Sequence, residues 1–94
     1  MTDFIALLTL YYGCDALVSV RPLSLNPEDL GRCMGVYEAV KSEFSEGPLP
    51  PPGTRDAEAQ RRQAYAAFKA WELDNGDLVT TLRQEAREKI LSRL

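Results

Sequence analysis

The chain has 94 residues, 45% of them hydrophobic and 27% charged, with a formal net charge of −3. Those figures describe one globular domain with room for one modest core, well away from a disordered chain. The acidic balance disfavours loose attraction to nucleic acid or to anionic lipid.

The charge is unevenly placed. Residues 1–54 carry three basic side chains (Arg21, Arg32, Lys41) against seven acidic ones, whereas residues 55–94 carry eight basic against seven acidic. Any basic surface must come from the second half. Two cysteines, Cys14 and Cys33, lie in apolar helical patterns and read as buried free thiols, with one disulfide as the alternative. No basic region precedes the apolar run that follows Asp3, so a signal peptide is not expected. Asp15 interrupts that run short of membrane-spanning length, so no membrane segment is expected and the address read from the sequence is cytoplasmic.

The first element is read over residues 3–19. Phe4, Leu7, Leu8, Tyr11, Cys14 and Val18 recur at helical spacing, with Thr2 or Asp3 available as cap. Ile5, Ala6, Leu10, Tyr12, Ala16 and Leu17 make the opposite face apolar as well, the pattern of a helix buried on all sides. A buried strand over 4–12 is the competing reading, and the Leu and Ala content favours the helix. After a connection over 20–25, Asn26-Pro27-Glu28-Asp29 marks a helix start: a side-chain acceptor, a proline at the first position and two acids at the positive end. The second helix is read over 27–45, with a stripe of Leu30, Cys33, Met34, Tyr37, Val40 and Phe44.

A proline-rich connection at 46–54 follows, which no helix accommodates. The third helix is read over 56–74, with Ala64, Tyr65, Phe68 and Trp71 as its large contacts and Glu58–Arg62 as an ordered ion pair. Asn75-Gly76 reads as a stop and Asp77 as the next cap. A fourth helix over 77–93 carries Leu78, Val79, Leu82, Ala86, Ile90 and Leu94, with Glu85–Lys89 as a second ordered pair. Residues 1–94 are therefore expected to form one all-α domain, a four-helix bundle or an orthogonal helical array.

The chain has no histidine, which excludes Ser-His-Asp and Cys-His catalysis and histidine-ligated zinc or haem. Two cysteines are too few for a four-thiolate site, and no phosphate-binding glycine loop is present. No catalytic residue, metal ligand, cofactor or small molecule is therefore assigned, and the chain is not expected to be an enzyme. Asp74-Asn75-Gly76-Asp77 lacks the spaced ligands and closing glutamate of a calcium loop, and a helix stop followed by a cap accounts for it. Gly13-Cys14-Asp15-Ala16-Leu17 is similar to the attachment site of acyl carrier proteins. Ala16 stands where the modified serine must be, so that chemistry is excluded at this position. Pro48-Leu49-Pro50-Pro51-Pro52 has PxxP content, but reads as a stiff spacer between helix pairs. Gly31 and Gly35 share one helix face with Ala39 and Ser42, a smooth track for a close helix approach.

The leading functional expectation is a small helical interaction or assembly protein, a homodimer or larger homo-oligomer. Its candidate interface is Phe4, Leu7, Leu8, Leu10, Tyr11 and Tyr12 of the first helix with Gly31 and Gly35. More apolar surface is expected than so small a core absorbs. The alternative is a helix-turn-helix-like nucleic-acid-binding regulator contacting its target through Thr81, Arg83, Gln84 and Arg87. Glu85 and Glu88 interleave with those arginines, which favours a solvated helix face and makes nucleic acid the less expected partner.

Overall fold

The structure, a computed structural model, describes residues 2–20, 26–51 and 53–92, with the side chains of Thr2 and Asp3 left out. Four helices form: α1 (Thr2–Val20), α2 (Pro27–Glu43), α3 (Arg55–Asp74) and α4 (Gly76–Leu91). The fold is all-α, as the periodicity predicts, and the competing strand over 4–12 lies within α1. The connection read over 20–25 falls from residue 21 onward outside the described residues, as do Pro52, Leu94 and the capping side chains Thr2 and Asp3.

Local signals account for most helix ends. The Asn26 side chain accepts from the Asp29 amide at 2.8 Å, ahead of Pro27 at the first turn. α3 begins one residue before its expected start because Thr54 caps it, accepting from the Ala57 amide at 3.1 Å. Gly53 precedes that cap with φ 125°, a conformation that favours glycine. The junction between α3 and α4 differs from the expected stop and cap. Gly76 is the first residue of α4 and has no positive φ, so Asn75 alone separates the helices. Its side chain donates to the Trp71 carbonyl at 2.9 Å, and Asp77 lies within the first turn of α4 rather than capping it.

The proline-rich connection is held down on α3. Gln60 donates to the Pro48 carbonyl at 3.1 Å and to Ser45 Oγ at 2.7 Å. Arg61 donates to both carboxylate oxygens of Glu38 at 2.6 and 2.7 Å and to the Pro50 carbonyl at 3.0 Å. One guanidinium thus ties α2, the connection and α3 together. The two ordered pairs expected along single helices do not form: neither Glu58–Arg62 nor Glu85–Lys89 is among the ion pairs within 4.0 Å.

The cysteines are not free thiols. Cys14 and Cys33 are disulfide-bonded, with Cα atoms 5.7 Å apart, inside the range such bonds require. Tyr11 meets Tyr37 edge-on at 5.3 Å and Phe4 meets Phe44 at 5.8 Å, so α2 runs antiparallel to α1. At the far side Trp71 lies 5.4 Å from Phe4, α4 starts within two turns of it, and Arg83 sits over the Tyr12 ring at 5.4 Å. α4 therefore runs alongside α1 in the same direction.

α1 is flanked by α2 on one side and α4 on the other, and no Cα atoms of those two flanking helices come within 8 Å of each other. α3 covers the inner face of α1 through side chains, with Phe68 5.0 Å from Tyr11. The molecule is 42 × 32 × 20 Å, and its short dimension is that of two helix layers. The core gathers Leu8, Tyr11, Tyr12, Val40, Phe68, Val79, Leu82 and Ala86, with Phe4, Phe44 and Trp71 packed against it. Leu30, Met34, Tyr65 and Leu78, expected among the buried stripes, stay exposed.

Closing a loop of about twenty residues stabilises the folded chain by about 3 kcal/mol through the entropy removed from the unfolded one. Reduction, or Cys14→Ser with Cys33→Ser, is expected to lower the thermal midpoint by roughly 10 °C or more in a calorimetric scan. A midpoint indifferent to reductant contradicts a structural role for the bond.

Candidate functional site

The first candidate is the outer face of α1. Thr9, Leu10, Gly13 and Leu17 recur at helical spacing on the side opposite the buried Leu8 and Tyr12. They floor a groove of 480 Å3 whose rims are Asp29 and Arg32 on α2 and Glu85 and Lys89 on α4. Leu10 is 56% exposed there. A side chain added at Gly13 meets nothing within 4 Å, so no described element of this chain approaches the floor at its middle. The face is apolar with charged edges, which suits docking of another surface rather than bond chemistry.

The second candidate is a buried polar cluster. Glu72 on α3 is only 7% exposed and is the one buried charged residue among those described. Its carboxylate accepts from the Tyr12 hydroxyl at 2.6 Å, Lys69 Nζ at 2.9 Å and Arg83 at 3.3 Å. Burial pushes this acid upward, but the hydrogen bonds from Tyr12 and Lys69 and the charges of Lys69 and Arg83 outweigh it, and the group is held below its ordinary value. Tyr12 is pushed well above the usual phenol range by burial first, then by its bond to Glu72. Lys69 is raised chiefly by its hydrogen bond to Glu72. All three therefore keep one protonation state across neutral pH. The cluster holds neither a free base nor an activated nucleophile, and it pins α1 to α3 and α4.

Asp15 and Tyr37 form a looser pair nearby. The Tyr37 hydroxyl donates to Asp15 at 3.5 Å, at the limit of a useful bond. Burial raises Asp15 above its ordinary value. Among the described residues no group of three histidine, cysteine, aspartate or glutamate side chains is placed to hold a metal ion.

The residues named from sequence divide clearly. Leu8, Tyr11 and Tyr12 lie in the core of the chain itself, and Phe4 and Leu7 pack partly against it. The small core absorbs more aromatic surface than expected, through edge-on contacts such as Tyr11–Tyr12 at 5.2 Å. Of the first-helix candidates, Leu10 alone is open. Gly31 and Gly35 are helical and exposed with open space at both positions, so no helix of this chain uses their track. Thr81, Arg83, Gln84 and Arg87 are all exposed on α4. Arg83 is occupied by Glu72 and the Tyr12 ring, and Gln84 donates to Glu88 at 3.2 Å. Of the outer face sequence reasoning names Leu10 but misses Gly13 and Leu17, although their spacing is readable, and it misses Glu72, which looks like any helix-surface acid.

No known protein family, curated protein or solved structure matches the chain.

Because the Glu72 pKa is depressed on folding, its contribution is complete above its ordinary 4.5 and is lost as pH falls through the lower folded value. Asp15, raised on folding, acts oppositely and regains stability as pH falls. Glu72→Gln is expected to flatten the acid side of the stability–pH curve in denaturant titrations. Tyr12→Phe is expected to cost about 1–2 kcal/mol at neutral pH. An unchanged acid limb in Glu72→Gln would sink the role given to the cluster.

Proposed function

We propose that the chain is a small helical assembly protein that self-associates through the outer face of α1. One observation carries the reading: α1 has apolar side chains in every direction, yet among the described residues only three of its sides are covered. A helix of that composition is normally buried all round. Here Leu10 is exposed and Gly13 and Leu17 are half-buried on a face rimmed by charge. A second copy supplies the missing cover, and the balanced rim charges, two acids and two bases, suit a surface that meets itself.

The disulfide bears on the setting. Cytosolic thiols are kept reduced, so the Cys14–Cys33 bond supports an oxidising environment over the cytoplasmic address expected from sequence. No helix among the described residues is long and apolar enough to cross a membrane.

Light scattering across a concentration series is expected to give a dimer or larger species for the native chain. Leu10→Asp, at a position already exposed, is expected to give a monomer with unchanged helical circular dichroism. A native chain that stays monomeric at high concentration overturns the assembly reading.

A further inference from the structure

The inference rests on self-association through α1 and concerns how the two copies meet. The helices flanking the groove run in opposite directions, and their side chains can be placed level by level against α1. Arg83 packs over Tyr12, so Glu85 and Lys89, two and six residues further on, stand level with Cys14 and Val18. Cys33 is bonded to Cys14, and α2 is antiparallel. Arg32 and Asp29, one and four residues before Cys33, therefore stand level with Asp15 and Val18. At the lower level the groove has Arg32 on one rim and Glu85 on the other. At the upper level it has Asp29 and Lys89.

Neither cross-groove couple is closed within the chain. Among the described residues Arg32 pairs with Glu28 at 3.9 Å and Asp29 at 3.7 Å on its own helix, both long contacts. Neither Glu85 nor Lys89 takes part in an ion pair among the described residues.

We propose that two copies dock with their α1 helices parallel, about a two-fold axis running along the groove. That operation keeps every residue at its level and exchanges the rims, so α2 of one copy lies over α4 of the other. Arg32 then faces Glu85 of the second copy and Asp29 faces its Lys89, each pair occurring twice. Along the floor, Leu10 meets Leu10 and Leu17 meets Leu17, one heptad apart, with Gly13 between them where the absent side chain lets the backbones approach. An antiparallel axis satisfies less. Reversal midway between Gly13 and Cys14 pairs Leu10 with Leu17 but carries both rims, centred about one turn above Gly13, past one another. Reversal about the middle of the rims pairs Arg32 with Asp29 and Glu85 with Lys89 of the second copy but carries Leu10 beyond the end of α1.

The test is charge exchange measured by sedimentation equilibrium at low salt. Arg32→Glu sets like charges together twice per dimer and is expected to weaken association about tenfold, less at high salt. Adding Glu85→Arg to the same chain restores the pairing and should recover most of the loss. In parallel, Leu10→Cys is expected to cross-link to its own kind on oxidation, with peptide mapping showing Cys14–Cys33 intact. If Leu10→Asp breaks the dimer but Arg32→Glu does not weaken it, or the double exchange fails to restore it, or Leu10→Cys cross-links only when mixed with Leu17→Cys, this geometry is wrong while self-association stands. A native monomer removes both.

Discussion

The constraint on which this structure depends is the composition of α1. Nineteen residues of helix with apolar side chains in every direction cannot sit at the edge of a small bundle without cost, because each uncovered leucine leaves apolar area in water. The fold responds by placing α1 in the middle of a row, with α2 and α4 beside it and the aromatic side chains of α3 beneath. Phe68 and Trp71 reach Tyr11 and Phe4 across a separation too wide for backbone contact, which is why this core is aromatic rather than aliphatic at its centre. Three sides are covered by these means. Among the described residues nothing covers the fourth.

An apolar helix with so little directional information needs something to fix its rotation and register. Hydrophobic burial alone is non-directional and tolerates slippage. Two specific links supply what it lacks. The Tyr12 hydroxyl, on the inner side, must find a partner when buried, and it finds Glu72. The carboxylate in turn is tolerable at 7% exposure because Lys69 and Arg83 reach it while keeping their own ends partly in water, with 42% and 54% of those side chains exposed. On the α2 side the disulfide fixes the level of Cys14 against Cys33. With both links made, the outward set of α1 is determined: it is Leu10, Gly13 and Leu17 and not another third of the circumference.

Much of the architecture was legible in the residues. The Asn26–Pro27 start, the break at 46–54 and the apolar spacing of α3 and α4 each have a local cause, and local causes can be read one residue at a time. Less legible were features that depend on which elements become neighbours. The free-thiol reading of Cys14 and Cys33 followed from their apolar surroundings, but pairing depends on the antiparallel approach of α1 and α2, which no spacing encodes. Glu72 resembles the solvated acids beside it until α1 brings Tyr12 against it. Naming Leu8, Tyr11 and Tyr12 as interface failed for a related reason. A helix apolar on all sides announces that it is buried, not which face is buried by its own chain.

Exposed apolar residues are ordinary, and Leu30, Met34 and Leu73 call for no partner merely by being on the surface. The α1 face differs in arrangement rather than in amount. Its apolar positions form one strip bounded on both edges by an acid and a base, and the two edges belong to helices of opposite direction. That opposition has a geometric consequence. The acid–base order along one rim, read from the N-terminal end of α1, is base then acid, while along the other it is acid then base. A rim pattern of that kind is complementary to itself when the rims are exchanged without reversing direction, and that arrangement also keeps Leu10 on the interface. Reversal about the middle of the rims pairs the charges but carries Leu10 beyond the end of α1. Were α2 and α4 parallel to each other with the same residues, the order would match on both edges, and the same exchange would set like charges together. The antiparallel packing of α2 on α1 thus decides whether the parallel axis sets opposite charges or like charges together.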